Sequence, residues 1–405
     1  MCIRDRHYRD SIREPMNDFF HFQHKALISA TPIVPEKDNR FDSFMRVLIQ
    51  PDYEYRQKLK LITTNNVLET LQEVIEAKRG TVCIFCNSID SIDSFYRLIP
   101  ELNNACTFCS EDGQYKLWKG NRRKKSMMIT ELERYNFFTS RFYSAVDIIC
   151  KNPPHVILIS DLHGATQSVI DPTTEAIQII GRFRGGVNTV THIASIRPDL
   201  ECMSANEIDS WIQGASHIFN GWKTQLAQTS NIGERTLLQE AIGENSYLPY
   251  LDANGKPDPF LIANLYEKEQ VKRLYTSTDL LCSAYQQTDY FIFSHEERLM
   301  PVSDNERMAI QHRLAKKKRA ELIVRKLEEM EKMSRTTDKK VQKRYQRMLG
   351  NLLTTTNDRY IYDCFCRFGG DFIRESDYNE NKLRAALNVS SEHTIKQSVQ
   401  MRSSI

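Results

Sequence analysis

The chain has 405 residues, which suggests two or three domains, and its 40% hydrophobic and 26% charged residues exclude a disordered or fibrous chain. Its 55 Lys+Arg against 52 Asp+Glu leave a formal charge of +3, too mild to declare a polyanionic partner by itself. The charge is uneven, because Pro301–Gly350 carries 15 Lys/Arg and 7 Asp/Glu, so any grip by net charge is placed late in the chain.

The opening hexapeptide, Met1–Arg6 (MCIRDR), resembles translated sequencing-adapter read-through and is left out of the fold reasoning. It raises the expectation that the chain begins in mid-protein. A strand is predicted at Lys25–Ser29 (KALIS), followed by Ala30–Pro35 and a polar linker. From Leu59 the pattern alternates. Leu59–Thr64 reads as a strand, Asn65–Lys78 as a helix with Val67, Leu68, Leu71, Val74 and Ile75 at helical spacing, and Thr81–Asn87 (TVCIFCN) as a strand. Ser88–Ile99 is a helix, Ala105–Cys109 a strand, and a basic loop follows. Tyr135–Thr139 and Val156–Ser160 (VILIS) are strands, Thr173–Phe183 a helix and Thr191–Ile196 a strand. Apolar strands alternating with helices imply βαβ units and a parallel sheet covered on both faces.

Beyond Arg197 long periodic stretches dominate, above all Asp304–Met333. Asp252–Pro259 is the clearest turn, and a short hairpin is expected near Tyr290–Pro301. The fold expected is α/β, a parallel sheet flanked by helices and followed by a mostly helical C-terminal region. Residues 1–50 read as a remnant and linker, 51–198 as the α/β domain and 199–405 as a helical accessory region. No apolar run approaches the roughly 18 residues of a membrane span. The ten Cys fit reduced thiols, so a cytoplasmic protein without a membrane partner is expected.

Three segments carry candidate chemistry. Ser29-Ala30-Thr31 follows a predicted strand, though small polar residues there are also ordinary turn material. Thr139-Ser140-Arg141-Phe142-Tyr143-Ser144-Ala145-Val146-Asp147 follows another, placing hydroxyls at the carboxyl end of a strand, where open α/β sheets bind ligands. A strand-to-loop junction with a solvated Asp reads the same way. Gln178-Ile179-Ile180-Gly181-Arg182-Phe183-Arg184-Gly185-Gly186 ends a helix with two Arg bracketed by Gly. Guanidinium forks suit phosphate oxygens, while Arg and Gly also suit an ordinary helix C-terminus.

In this order the three resemble motifs III (SAT), V (T-x5-[GA]-[VL]-[DN]) and VI (Q-x-x-G-R-x-[GR]) of superfamily 2 helicases, with Thr81–Ser88 as the motif IV strand. The resemblance covers roughly residues 24–198 and implies a second RecA-like lobe of the P-loop NTPase type, in an ATP-dependent helicase or translocase. It implies ATP and Mg²⁺ as cofactors and nucleic acid as partner, with DNA favoured over RNA. Gln178, Arg182 and Arg184 would face the nucleotide, with Arg182 as the leading arginine finger and Gly181 beside it. Asp147 would lie near the ribose or the coupling network, Thr139 and Ser140 would contact a nucleic-acid phosphate, and Ser29, Ala30 and Thr31 would couple nucleotide state to strand movement.

The chain departs from the pattern in three ways. Ala145 stands where motif V usually has Gly, and the second Arg of motif VI is shifted by one residue. No G-x-x-x-x-G-K-[ST] loop and no DExH box occurs, so the Mg²⁺ ligands are expected in a missing first lobe, and this chain is not expected to hydrolyse ATP alone. Two alternatives stand beside this reading: a non-catalytic RecA-like nucleic-acid-binding module, and a translocase subunit of a restriction or remodelling system.

Cys83-x-x-Cys86 and Cys106-x-x-Cys109 have zinc-ribbon spacing, but each pair lies in a predicted strand, where residues three apart point to opposite faces. They are read as buried thiols, with no metal site. The basic runs Arg122-Arg123-Lys124-Lys125 and Lys316-Lys317-Lys318-Arg319 read as solvated faces or as backbone-phosphate contacts.

Overall fold

The computed structural model describes residues 16–29, 31, 38–118, 124–129, 131–143, 146–252, 254–312 and 314–389. Met1–Arg6, Ala30, Arg122, Arg123, Ser144 and Ala145 lie outside them, as does residues 32–35 of the stretch after KALIS.

Eight strands form one sheet: β1 (Gln57–Thr64), β2 (Val82–Cys86), β3 (Cys106–Phe108), β4 (Lys124–Ser126), β5 (Tyr135–Phe138), β6 (His155–Ser160), β7 (Thr189–Ala194) and β8 (Phe291–Arg298). Their order is β4-β3-β5-β2-β6-β7-β1-β8, and every pairing from β4 through β1 is parallel. Each residue of β2 and β6 is buried, as expected for central strands with both faces covered. Helices α2 (Val67–Glu76), α3 (Ile89–Leu98), α4 (Glu111–Trp118) and α5 (Glu175–Gly181) connect them, after a short N-terminal helix α1 (Met16–His21).

Three expectations are corrected. Lys25–Ser29 forms no strand: Ile28 alone makes a bridge and stands exposed, because apolar composition supplies no ladder without a neighbouring strand. The loop expected after Cys109 contains α4 and the edge strand β4, both too short and too polar to give a periodic signal. The hairpin expected near Tyr290–Pro301 is instead β8, which joins the sheet beside β1. Asp252–Pro259 is a turn, closed by a Leu251–Pro257 bridge with Gly255 at φ 73°.

The chain divides into two compact units, Met1–Thr63, Lys78–Asp93 and Leu102–Glu296 forming the first and Thr64–Ala77, Ser94–Glu101 and Glu297–Ile405 the second. This division falls elsewhere than the junction read near residue 198. Helices α6 (Ala205–Gln228), α7 (Ile232–Gly243), α8 (Pro259–Leu274) and α9 (Thr278–Gln286) belong with the sheet. Val271, Tyr275, Leu281 and Tyr285 enter the same core as Leu61, Phe85, Leu158 and Ile179.

Across β3, β5 and β2 the in-register residues Phe108, Phe138 and Phe85 stack with centroids 4.8 and 4.9 Å apart. Such a ladder fixes register, because a one-residue slip of any one strand would turn its ring to the other face. Strand β5 stands between the two cysteine-bearing strands, and all four thiols are buried. Burial pushes the Cys83 thiol well up, with Cys150 hydrogen-bonded beside it.

A directional chain of hydrogen bonds runs through this core. The Tyr275 hydroxyl donates to the Ile170 carbonyl at 2.6 Å, so the Ser160 hydroxyl, 2.9 Å away, must donate to Tyr275. Ser160 then accepts from His192 Nε2 at 3.0 Å, and His192 Nδ1 accepts from the Tyr285 hydroxyl at 2.7 Å. Only the neutral Nε2–H tautomer satisfies this order. Burial accordingly lowers the His192 pKa to about 3. Below pH 6.5 the unfolded chain takes up a proton that the folded chain refuses until about pH 3. Stability contributed by neutral His192 is therefore present above pH 6.5 and lost as pH falls through that window, by on the order of 1 kcal/mol per pH unit. Urea midpoints at pH 7, 6 and 5 should show a shallower slope for His192→Gln than for wild type; equal slopes would remove His192 from the acid response.

The second unit has its own core, in which Ile323, Val324, Leu327 and Met330 pack with Met348, Leu352, Ile361 and Ile373. These residues come from α11 (Lys316–Ser334), α12 (Lys339–Leu352) and α13 (Thr356–Glu375), which follow α10 (Asp304–His312). The periodic stretch Asp304–Met333 is thus two helices, with Leu314 and Ala315 non-helical between them. Helix α2 belongs here too. Asn66 caps it, accepting from Glu69 N at 2.9 Å and donating to Val302 O at 2.7 Å. Glu69, Glu73 and Glu76 share one face and pair with Arg347, Arg344 and Lys343 of α12. No helix among the described residues is long and apolar enough to cross a membrane.

Candidate functional site

Strand β6 leads through α5 to β7 on one side of it, whereas β2 leads through α3 towards β3 on the other. Adjacent parallel strands whose connections depart in opposite directions open a crevice beyond their carboxyl ends, the usual ligand position in open α/β sheets. Asn87 follows β2, Asp161 follows β6 and Thr139 follows the neighbouring β5.

Thr139 is buried, and its N–H and hydroxyl both address the Phe108 carbonyl, at 3.1 and 3.4 Å. Its position is the start of a short turn, Ser140–Phe142. Ser140 N donates to Asn87 Oδ1 at 3.4 Å, and Asn87 Nδ2 donates to the Gln167 carbonyl at 3.5 Å. Asp161 accepts from the Ser91 hydroxyl and from Gly164 N, both at 3.0 Å. A Cβ at residue 164 would lie 2.4 Å from Asp161 Oδ2 and 2.6 Å from Ser91 Oγ, so only Gly permits this closed loop. Asn87, Ser91, Asp161 and Gly164 were not singled out from the sequence. The signal is present: Asn87 and Asp161 are polar residues directly after fully buried strands, as Thr139 is.

The other candidates meet around α5. Gln178 and Thr31, 147 residues apart, are both buried and joined by Nε2–Oγ1 at 2.6 Å. Ser29 Oγ accepts from Thr31 N at 3.1 Å. Arg182 is buried at the end of α5, with its Nε donating to the Gln178 carbonyl at 2.9 Å. Its own carbonyl accepts from Ile148 N at 2.8 Å, bringing the segment after Asp147 alongside. Gly181 closes the helix, and a Cβ there would meet nothing within 4 Å. Arg184 is exposed and ion-paired to Asp147 at 3.0 Å.

Thus Thr31, Gln178, Arg182, Ile148, Asp147 and Arg184 form one connected group, while Thr139 and Ser140 join Asn87 in another. Among the described residues no three His, Cys, Asp or Glu side chains are grouped so as to hold a metal ion.

The late basic run is partly neutralised. Lys317 meets Asp377 at 2.6 Å, and Arg319 holds the buried Asp358 through two nitrogens. Lys316 and Lys318 remain exposed. Trp211 packs edge-on against Tyr250 with centroids 5.4 Å apart.

Searches against protein-family models and against curated proteins return no match to this chain.

Proposed function

We propose that this chain is the second RecA-like lobe and C-terminal region of an ATP-dependent nucleic-acid helicase or translocase of superfamily 2, with DNA the favoured strand. The observation that carries the reading is the Gln178–Thr31 hydrogen bond at 2.6 Å. It joins the SAT and Q-x-x-G-R segments, whose coupling would link nucleotide state to strand movement. The Arg184–Asp147 ion pair adds the third segment to the same group.

In this role ATP supplies a γ-phosphoryl group for in-line attack by water. Arg182, buried and with its Nε on the Gln178 carbonyl, would turn its guanidinium towards the developing phosphate charge. Gln178 would hold the helix end against Thr31 and report its position. No group of three His, Cys, Asp or Glu side chains placed to hold a metal ion occurs among the described residues. The Lys of a phosphate loop and the metal carboxylate would come from a first lobe.

The test compares this chain with one extended upstream in its own genomic reading frame. Strand-stimulated ATP turnover by the extended protein, with none from the 405-residue chain, supports the reading. A stop codon immediately upstream of Met1, or an extended protein without a phosphate loop and without turnover, would favour a non-catalytic binding module. Strand displacement against duplex translocation then separates a helicase from a translocase subunit.

A further inference from the structure

A cleft of about 450 Å³ lies at the amino edge of the sheet, lined by Arg79, Gly80, Thr81 and Arg134. These residues immediately precede β2 and β5, which are paired neighbours, so the cleft lies at the other end of these strands from Asn87 and Thr139. No carboxylate lines it. Neither Arg79 nor Arg134 has an ion-pair partner among the described residues, although Arg134 stacks on the Tyr135 ring at 5.1 Å. The cations of the second unit contrast with them: Lys343, Arg344, Arg347, Arg319, Lys326 and Arg374 all meet carboxylates.

The backbone carrying both arginines is held by buried groups. The fully buried Asn136 donates from Nδ2 to the Glu133 carbonyl at 2.6 Å and accepts Glu133 N–H at 2.9 Å. Arg134 O accepts from Val82 N at 2.7 Å. On the other wall His155 Nε2 donates to the Arg79 carbonyl at 3.0 Å, and its Nδ1 accepts from the Thr189 hydroxyl at 2.8 Å. Lys78 Nζ donates to the same hydroxyl at 2.9 Å, leaving another cation behind the turn. Gly80 has φ +91° with open space where a Cβ would stand, so this turn needs Gly for its backbone and leaves the cleft floor uncovered. Two guanidinium groups on braced backbone, with the Thr81 hydroxyl also lining this open cleft, suit the oxygens of a phosphate group.

We propose that this cleft binds a phosphomonoester, with Arg79 and Arg134 gripping the phosphate and the Thr81 hydroxyl donating to it. The site is separate from the group around Arg182, and its existence does not depend on the helicase reading.

Isothermal titration of the 405-residue chain with AMP, adenosine, inorganic phosphate, and an oligonucleotide with either a 5′-phosphate or a 5′-hydroxyl tests this. AMP should bind, adenosine should not, and Arg79→Gln or Arg134→Gln should each weaken AMP binding about tenfold or more, as expected for a lost charge-assisted bond. Both arginines are exposed, so circular dichroism should show unchanged folding. Tighter binding of the 5′-phosphate oligonucleotide than of its 5′-hydroxyl form, lost in both variants, would place the phosphomonoester on a strand end. Equal binding of both oligonucleotides with no AMP binding would overturn the proposal in favour of backbone contact. AMP affinity unchanged in both variants, or no binding of any probe at about 10 mM, would also overturn it.

Discussion

Arg182→Ala is expected to lower strand-stimulated ATP turnover of the extended protein by about 10³-fold or more, the range found when an arginine is removed from phosphoryl transfer. The side chain is buried, its Nε is held by the Gln178 carbonyl, and its main chain bonds to Ile179 and Ile148. A guanidinium fixed before substrate arrives needs little reorganisation at the moment of reaction. Arg184 differs. It is exposed and already meets Asp147, and exposed pairs of this kind contribute little, so Arg184→Ala should change turnover by less than about tenfold. Arg182→Lys keeps the charge without the fork and should fall between. The measurement is kcat at saturating single strand, with thermal melts to confirm folding. Wild-type turnover from Arg182→Ala, or an equal loss from Arg184→Ala, would sink the assignment.

Arg347→Ala should destabilise the second unit by about 3–5 kcal/mol, the usual result of stranding one member of a buried ion pair. Its partner Glu69 has a side chain only 1% exposed and accepts Arg347 Nε at 2.9 Å. Burial holds the Glu69 carboxyl above its ordinary pKa even with Arg347 beside it. For Arg347 burial opposes the charge, but Glu69, Glu76 and Glu73 outweigh it and raise its pKa. Removing the cation would leave the buried carboxyl without its paired guanidinium, with only Arg344 nearby to oppose the cost of burial. Adding Glu69→Gln to Arg347→Ala should recover much of the loss. Urea unfolding of the four proteins in the double-mutant cycle measures the coupling; a loss under 1 kcal/mol for the single variant would show that Glu69 relaxes to solvent.

The sheet was legible where its strands are long and apolar. VILIS and TVCIFCN predict β6 and β2 nearly residue for residue, because burial on both faces keeps polar residues to the ends of each run. The edge was not: Lys124–Ser126 is three polar residues, indistinguishable by composition from loop. KALIS failed for the opposite reason, an apolar run without a ladder partner. At the site, the meeting of Thr31 with Gln178 follows from motif order only through the resemblance. Nothing local in Ser29-Ala30-Thr31 says which residue its hydroxyl will meet 147 positions later. Asn87 and Asp161 were overlooked because their neighbours were read for secondary structure alone. The unit boundary was invisible, since α2 looks like any sheet-covering helix until its glutamates are matched to cations near the end of the chain.

That last match has a consequence for synthesis. Glu69 and Arg347 are 278 residues apart, and a ribosome adding about 5–20 residues per second needs on the order of tens of seconds to span them. For that interval α2 has emerged with its acidic face lacking the cations of α12 that later meet it. The sheet strands nearer in the chain can pair meanwhile, so the second unit must close last, around a helix made early. A segment that waits so long is where a nascent-chain chaperone would act, and where a pause in translation would lengthen the exposure.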